Sequence, residues 1–407
     1  MRVGFIFMLF LFLNNLLIAD KIEYSQAQNI AIKWMQKVAH KRAKIMQDKA
    51  YSIKSSKKRL TTSKDKPYYI FNLENGGWVI VADDDINSAV LAYSDKSSID
   101  PYNLPPQFEW WLNSVANELK KAKYLAKKGR LLTKKTKVSK NIEPAYATSS
   151  YSEVGPLLKT AWGQGRGYNE YCPKDPRSIE GNGHVPAGCI AVAMAQIMNY
   201  FAWPPRGVGS NSYIPKSNPQ YGRQYVNFGQ TSYSWSDSQK AKVIYHAGVG
   251  VNMDYGPYAS GAYITDANSA FRKYFRYKTS GVIKKGSAKD WHNRLVASLN
   301  RGSPVLYQGK GSIVHVFVCD GYKVVDGGYM YHFNWGWDGI GNGWFRVDNI
   351  SPLNYNFNTN NYAIFDIYPS DPSYNLGVKN LSASISYFFS LFLLFGLLAI
   401  GALGSKQ

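Results

Sequence analysis

At 407 residues the chain has room for two or three domains and a sizeable core, which rules out a small scaffold stapled by disulfides. Three cysteines (Cys172, Cys189 and Cys319) are an odd number, so at least one thiol is free or pairs with another chain, and an oxidising compartment would allow Cys172 to join Cys319. The net charge of +21 first suggests nucleic acid, yet +13 of it lies in residues 21–140 and no basic stripe with interleaved aromatics marks the rest, so nucleic acid is not an expected partner.

Residues 1–19 read as a signal peptide: Met1-Arg2 precedes an apolar run from Val3 to Ala19, interrupted only by Asn14-Asn15, with cleavage after Ala19. Leu17 is large for its place before that cut, and the alternative is an uncleaved anchor. From Ser25 to Met46, Ala27, Ile30, Ala31, Trp34, Met35 and Val38 follow helical spacing, with Lys and Arg on the other face. A basic loop over 51–66 leads to a hairpin, Tyr68–Leu73 and Trp78–Ala82 around Glu74-Asn75-Gly76-Gly77. A strand over 89–93 and a helix from Phe108 to Ala126, introduced by Pro105-Pro106, complete a small α+β unit over residues 20–126. Residues 127–150 lose all periodicity and are mainly Lys, Thr, Ser and Ala, which marks an exposed, easily cut linker. A small independent unit behind a leader, tied by a cuttable linker to a larger domain, is the layout of a zymogen; an ordinary two-domain secreted protein is the alternative.

Residues 151–370 form the larger domain. Its first half holds a helix from Cys189 and further helices near 239–249 and 266–275. Its second half is strand-rich, over 305–308, 313–319, 328–334, 343–347 and 363–367, with a turn at Asp320-Gly321. Helices followed by an antiparallel sheet predict an α+β fold with a cleft between the halves. After a tail linker at 371–384, the charge-free run 385–403 just suffices to span a bilayer, which predicts a membrane anchor or a sorting signal.

The chemistry centres on Pro186-Ala187-Gly188-Cys189, where Pro and Gly precede a cysteine that opens an apolar helix ending at Trp203-Pro204-Pro205. The helix dipole favours thiolate there, although a buried structural cysteine is the bland reading until a base is found. Of six histidines, His40 lies in the first unit, and His184, His246 and His292 read as surface or locally bonded residues. His332 shares a strand and a side with Asn334 and so cannot be the ring that Asn334 orients, which makes His315 the better base. An amide carbonyl at Asn334 can hold that imidazole, with the Trp335 indole shielding the bond. Oxyanion donors would be the Cys189 N–H and Gln164, the latter within Trp162-Gly163-Gln164-Gly165.

Gln, Cys, His, then Asn-Trp is the order of papain-like cysteine peptidases. The words Gly188-Cys189-Ile190-Ala191, Val251-Asn252-Met253-Asp254-Tyr255-Gly256-Pro257, Tyr307-Gln308-Gly309, His315-Val316-Phe317-Val318 and Asn334-Trp335-Gly336-Trp337 closely resemble the streptopain family of secreted bacterial zymogens. The resemblance covers about residues 155–369, and more faintly 21–140, which looks like that family's inhibitory prosegment. It implies a two-lobed papain-like domain, a helical lobe plus an antiparallel β lobe, behind a small α+β prodomain. It also implies Cys189 as nucleophile, His315 as base, Gln164 in the oxyanion hole, Asn334 with Trp335 orienting His315, and no catalytic role for His332. No metal or cofactor is implied. The implied partners are peptide or protein substrates and the chain's own prodomain as intramolecular inhibitor, with an apolar preference at P2 that makes Val138-Ser139 a self-cleavage site. Ile313-Val314, where streptopain has glycines, Gly167 in place of a frequent proline, the extra Cys172 and Cys319, and the apolar tail depart from the pattern. The expected protein is thus a secreted or cell-surface cysteine endopeptidase. Its rivals are a cell-wall amidase or transferase with the same chemistry, and a membrane-tethered binding module with a dead papain-like fold. Retention of Gln164, Cys189, His315 and Asn334 argues against the last.

Overall fold

A computed structural model describes residues 21–40, 66–73, 76–84, 89–97, 99–101, 103–127, 153–310, 314–325, 328–346 and 361–371. The expected leader, the basic linker after residue 127, and the apolar run 385–403 lie outside the described residues. Among the described residues no helix is long and apolar enough to cross a membrane.

The first unit comprises α1 (Tyr24–His40), β1 (Tyr68–Asn72), β2 (Trp78–Ala82), β3 (Val90–Ser94) and α2 (Pro106–Lys127). At the start of α1 the Glu23 N–H donates to Gln26 Oε1 at 2.8 Å, half of a capping box. The hairpin pairs Tyr68 with Ala82 through Asn72 with Trp78. Strand alternation then divides its side chains: Tyr69, Phe71, Val79 and Val81 pack toward α1, whereas Tyr68, Ile70, Trp78 and Ile80 pack toward α2. Strands so apolar on both faces cannot expose an edge freely, and β3 is buried along its whole length.

The rest of the chain continues as β4 (Glu153–Val154), α3 (Cys189–Phe201), β5 (Ser210–Tyr213), β6 (Gln224–Asn227), α4 (Lys240–Gly250), α5 (Ile264–Lys273), β7 (Tyr277–Lys278), β8 (Val282–Lys284) and α6 (Ala288–Asn300). It ends with β9 (Val305–Lys310), β10 (Val314–Val325), β11 (Gly328–Asn334), β12 (Gly343–Phe345), β13 (Tyr362–Ile364) and β14 (Tyr368–Pro369). Antiparallel pairing gives the order β1-β2-β3-β12-β11-β10-β9-β13-β8, with β4 beside β10. The first unit is therefore not independent, contrary to the expectation from its sequence. Its β3 pairs Tyr93 with Trp344 and Ala92 with Phe345, so one sheet runs through both parts.

Three apolar clusters follow from that sheet. The helices α3, α4 and α5 form one, against Leu306, Val316, Val318 and Ile364. On the opposite face α2 and α6 share a second cluster with Phe317, Phe333, Trp335 and Phe345, and α1 covers a third with Trp344 and Met330. The turn expected at Asp320-Gly321 is instead a bulge between Cys319 and Gly321 inside the long strand β10. Asp320 is fully buried there and accepts the Leu158 N–H at 3.0 Å and the His332 ring at 2.6 Å, which removes any need for a turn to expose it.

Candidate active site

Gly188 precedes α3 with φ 91° and ψ 131°, a conformation open in practice to glycine alone. A Cβ there would lie 2.5 Å from Met253 Cε and 3.2 Å from the Ser260 carbonyl oxygen. This close approach places Cys189 as the first residue of the helix, with ten of the following side chains, including Ile190 through Met198 and Phe201, buried in the helical lobe. Cys189 itself remains partly exposed at the helix start.

β10 brings His315 to that thiol. His315 is 2% exposed, and the neighbouring Val316 N–H donates to Cys189 Sγ at 3.4 Å. Its Nε2 lies 2.8 Å from the Trp335 backbone carbonyl. A carbonyl only accepts, so Nε2 carries a proton and Nδ1 is left for the sulfur. Burial opposes charge on both groups, but the mutual attraction of the two and their hydrogen bond outweigh it. The Cys189 thiol is thereby lowered from its ordinary value and the His315 imidazole raised. Bonds from the backbone at Val316 and Ile190 also lower the thiol. The other cysteines behave oppositely: burial pushes Cys172 up to about 12 and Cys319 well above its usual range, and both are free thiols rather than a disulfide.

Asn334 takes a different place from the one expected. Its Oδ1 accepts from Gln196 Nε2 and from the Gly336 N–H, both at 3.1 Å, and its Nδ2 donates to the Thr160 carbonyl at 2.8 Å. The side chain points to the helix and loop, and the imidazole is held by the next residue's carbonyl. The reason is Gln196, which lies fully buried two turns after Cys189. Its Oε1 accepts from Thr160 Oγ1 at 2.9 Å, from the Trp162 N–H at 3.0 Å and from Asn334 Nδ2 at 3.2 Å. This amide therefore ties the nucleophile helix to both loops beside the cleft. The sequence reading assigned Gln196 no role, although a single polar residue within the apolar run 190–198 is a signal for a buried hydrogen-bonding role. Trp335 is buried, its Nε1 donating to the Gly341 carbonyl at 3.0 Å and its N–H to Asn342 Oδ1 at 2.9 Å, so the carbonyl that takes His315 is rigidly held.

Gln164 is half-buried, and its backbone carbonyl accepts the Ala187 N–H at 2.9 Å, two residues before Cys189. The same loop is fastened across the cleft: the Asp338 N–H donates to the Trp162 carbonyl at 3.3 Å, and Tyr168 Oη to Asp338 Oδ1 at 2.6 Å. Cys189, His315, the Trp335 carbonyl and the Gln164 loop thus converge. Four other histidines are bonded elsewhere: His184 to the Cys172 carbonyl, His246 to Tyr233, His292 to Tyr331 and His332 to Asp320.

This arrangement agrees with what the chain resembles among known proteins. Residues 162–345 match the model of the peptidase C10 family, and residues 19–119 match that of the Spi protease inhibitor. Streptopain of Streptococcus pyogenes serotype M1 is 29% identical over 319 residues, covering 70% of this chain and 74% of streptopain. The thiol protease/hemagglutinin PrtT of Porphyromonas gingivalis is 30% identical over 313 residues, which is 70% of this chain and 34% of that larger protein. The solved structure of a Prevotella intermedia prointerpain A fragment superposes with a TM-score of 0.61 at 27% identity, covering 78% of this chain and 99% of the fragment.

Proposed function

From the premise that the chain belongs to the peptidase C10 family of cysteine peptidases and is a protease zymogen, we propose that Cys189 is its nucleophile and His315 its general base and acid. The single observation that carries this is geometric: Cys189 opens the buried helix α3 against the strand that carries His315, whose Nε2 is bonded to the Trp335 carbonyl so that Nδ1 is left for the sulfur. The thiolate attacks the peptide carbonyl, and the developing oxyanion is met by the Cys189 N–H and the Gln164 side-chain amide. His315 protonates the leaving amine, then takes a proton from the water that releases the acyl group. The Trp335 carbonyl keeps the ring in one tautomer through both steps, while Asn334 supports it indirectly by holding the Gly336 N–H. Without the second hydrogen bond the ring could turn from the sulfur.

The finer parts of the proposal are secretion through residues 1–19, an apolar P2 preference, cutting of the 127–150 linker by the enzyme itself, and retention at a membrane through 385–403. Residues 20–126, which share a sheet and two clusters with the catalytic part, would be the inhibitor until that cut. Expression of the full chain beside a Cys189→Ala variant tests the function. The wild type is expected to shorten and to hydrolyse casein in a manner blocked by a thiol-directed epoxide, whereas the variant keeps its length and stays inactive. Equal shortening of both, or casein left intact by the processed wild type, would exclude a self-processing endopeptidase.

A further inference from the structure

Glu180 lies in the loop that leads to Cys189, and its carboxylate fills the space that a Cβ on Gly165 would occupy. It therefore sits against the backbone next to Gln164. The loop is rigidly placed: the Ile179 N–H donates to the Pro257 carbonyl at 3.3 Å, the Glu180 N–H to Ser178 Oγ at 3.3 Å, and Ser178 Oγ to the His184 carbonyl at 2.6 Å. Yet the carboxylate has neither hydrogen bond nor ion pair among the described residues. The nearest basic residue of the loop, Arg177, is spent on Asp175, at 2.7 Å and 3.0 Å, and Asp175 also accepts from Tyr221. Arg166 is exposed and makes no ion pair among the described residues, and Lys240, over the Tyr168 ring, is paired with Asp237. Partial burial raises the carboxyl from its ordinary value, and a cation beside it would relieve that burden.

The position of this wall follows from its fastenings. Trp162 and Tyr168, which flank Gln164-Gly165, are bonded to Asp338, in the loop that carries the His315 acceptor. On the peptidase reading, His315, held by the Trp335 carbonyl of that same loop, would deliver its proton to the departing amine on this side. We propose that Glu180 is a specificity-determining residue that selects Lys or Arg in the first two positions after the scissile bond. The proposal rests on the peptidase reading above and deepens it. The chain supplies one such residue itself: a cut after Ser139 would leave Lys140 first on the departing side, followed by Asn141. Asp338, on the facing loop, adds negative charge in the same direction.

The test uses the full chain after self-processing, with the active thiol titrated. Peptides that share one acyl-side sequence carry Lys, Ala or Glu immediately after the cleaved bond. Wild type is expected to favour Lys over Glu by about tenfold in kcat/KM, the size of one partly screened charge pair. Glu180→Gln should bring the ratio near one, and Glu180→Lys should invert it. Because both peptides are read on the same titrated sample, a variant that folds in lower yield still reports its ratio. A wild-type ratio near one, or an unchanged ratio in Glu180→Gln, overturns the inference while leaving the peptidase intact. Failure to cleave any of the three peptides or casein overturns both.

Discussion

Burial alone would push the Cys189 thiol up and the His315 imidazole down, and each is shifted the opposite way because of the other. The sign of each shift sets the pH behaviour. A lowered thiol stays thiolate as pH falls below the ordinary cysteine value of about 8.5, and a raised imidazole stays protonated above the ordinary histidine value of about 6.5. Alkylation of Cys189 by iodoacetamide should therefore remain fast below the pH at which an ordinary cysteine slows, and should fall only when pH drops through the lowered thiol value. His315→Ala removes the attraction and leaves burial, so its alkylation limb should move up in pH. An unmoved limb would show that the helix start and backbone bonds suffice without the imidazole. At this scale the positions of Cys189 and His315 were readable, because a cysteine at a helix start and a histidine at the head of an apolar strand are local patterns. The Asn334 role was misread because the choice between a side-chain amide and the next carbonyl depends on Gln196, which is distant in sequence and reaches Asn334 only once α3 lies against β11.

The element that sets the site is α3, and the residue that sets α3 is Gly188. Any side chain there meets Met253 and the Ser260 carbonyl, and its φ of 91° is unfavourable to every other residue. Gly188→Ala should cost about 2–4 kcal/mol from backbone strain together with overpacking. The measurement is thermal unfolding of the full chain in a Cys189→Ala background, which prevents self-cleavage. A midpoint within a degree of the parent would mean that Met253 moves aside and the backbone relaxes. The elements themselves were largely legible: the hairpin bounds agree within a residue, and the helices at 106–127, 240–250 and 264–273 fall where periodicity placed them. The short strands β4 to β8 and β14 and the helix α6 had no range in the sequence reading, and β10 was cut short because its bulge at Asp320 looks like a turn, since Asp-Gly is a turn word unless a buried partner such as His332 claims the carboxylate.

At the scale of the whole molecule, the inhibitor-like unit and the catalytic part are one sheet and share one aromatic cluster. Phe108 of α2 is fully buried, and its ring lies 6.0 Å from Trp335 and 5.1 Å from Phe345, both beyond the linker. It also occupies the space that a Cβ on Gly341 would need, beside the carbonyl that holds the Trp335 indole. In the Cys189→Ala background, Phe108→Ala should cost about 3–5 kcal/mol, as expected for a fully buried ring. Calorimetry should show one transition, displaced to lower temperature by several degrees. Two transitions, of which only one moves, would mean that the parts unfold separately.

The zymogen layout, the α+β class, the nucleophile helix and the order of the site residues are all written in local pattern: apolar periods, glycine and proline stops, and a linker without periodicity. Those patterns are legible because helices, strands and turns depend on neighbours a few residues apart. The join of β3 to β12, the packing of Phe108 on Trp335, the transfer of the His315 bond from Asn334 to the Trp335 carbonyl, and the placement of the Glu180 carboxylate against Gly165 are not. Each depends on residues brought together across tens to hundreds of positions, where strand edges seek any available partner and buried amides bond whichever group packing presents. Cys189 and His315 could thus be singled out as candidates from the chain, whereas the carbonyl that holds His315 had to be found in the packed core.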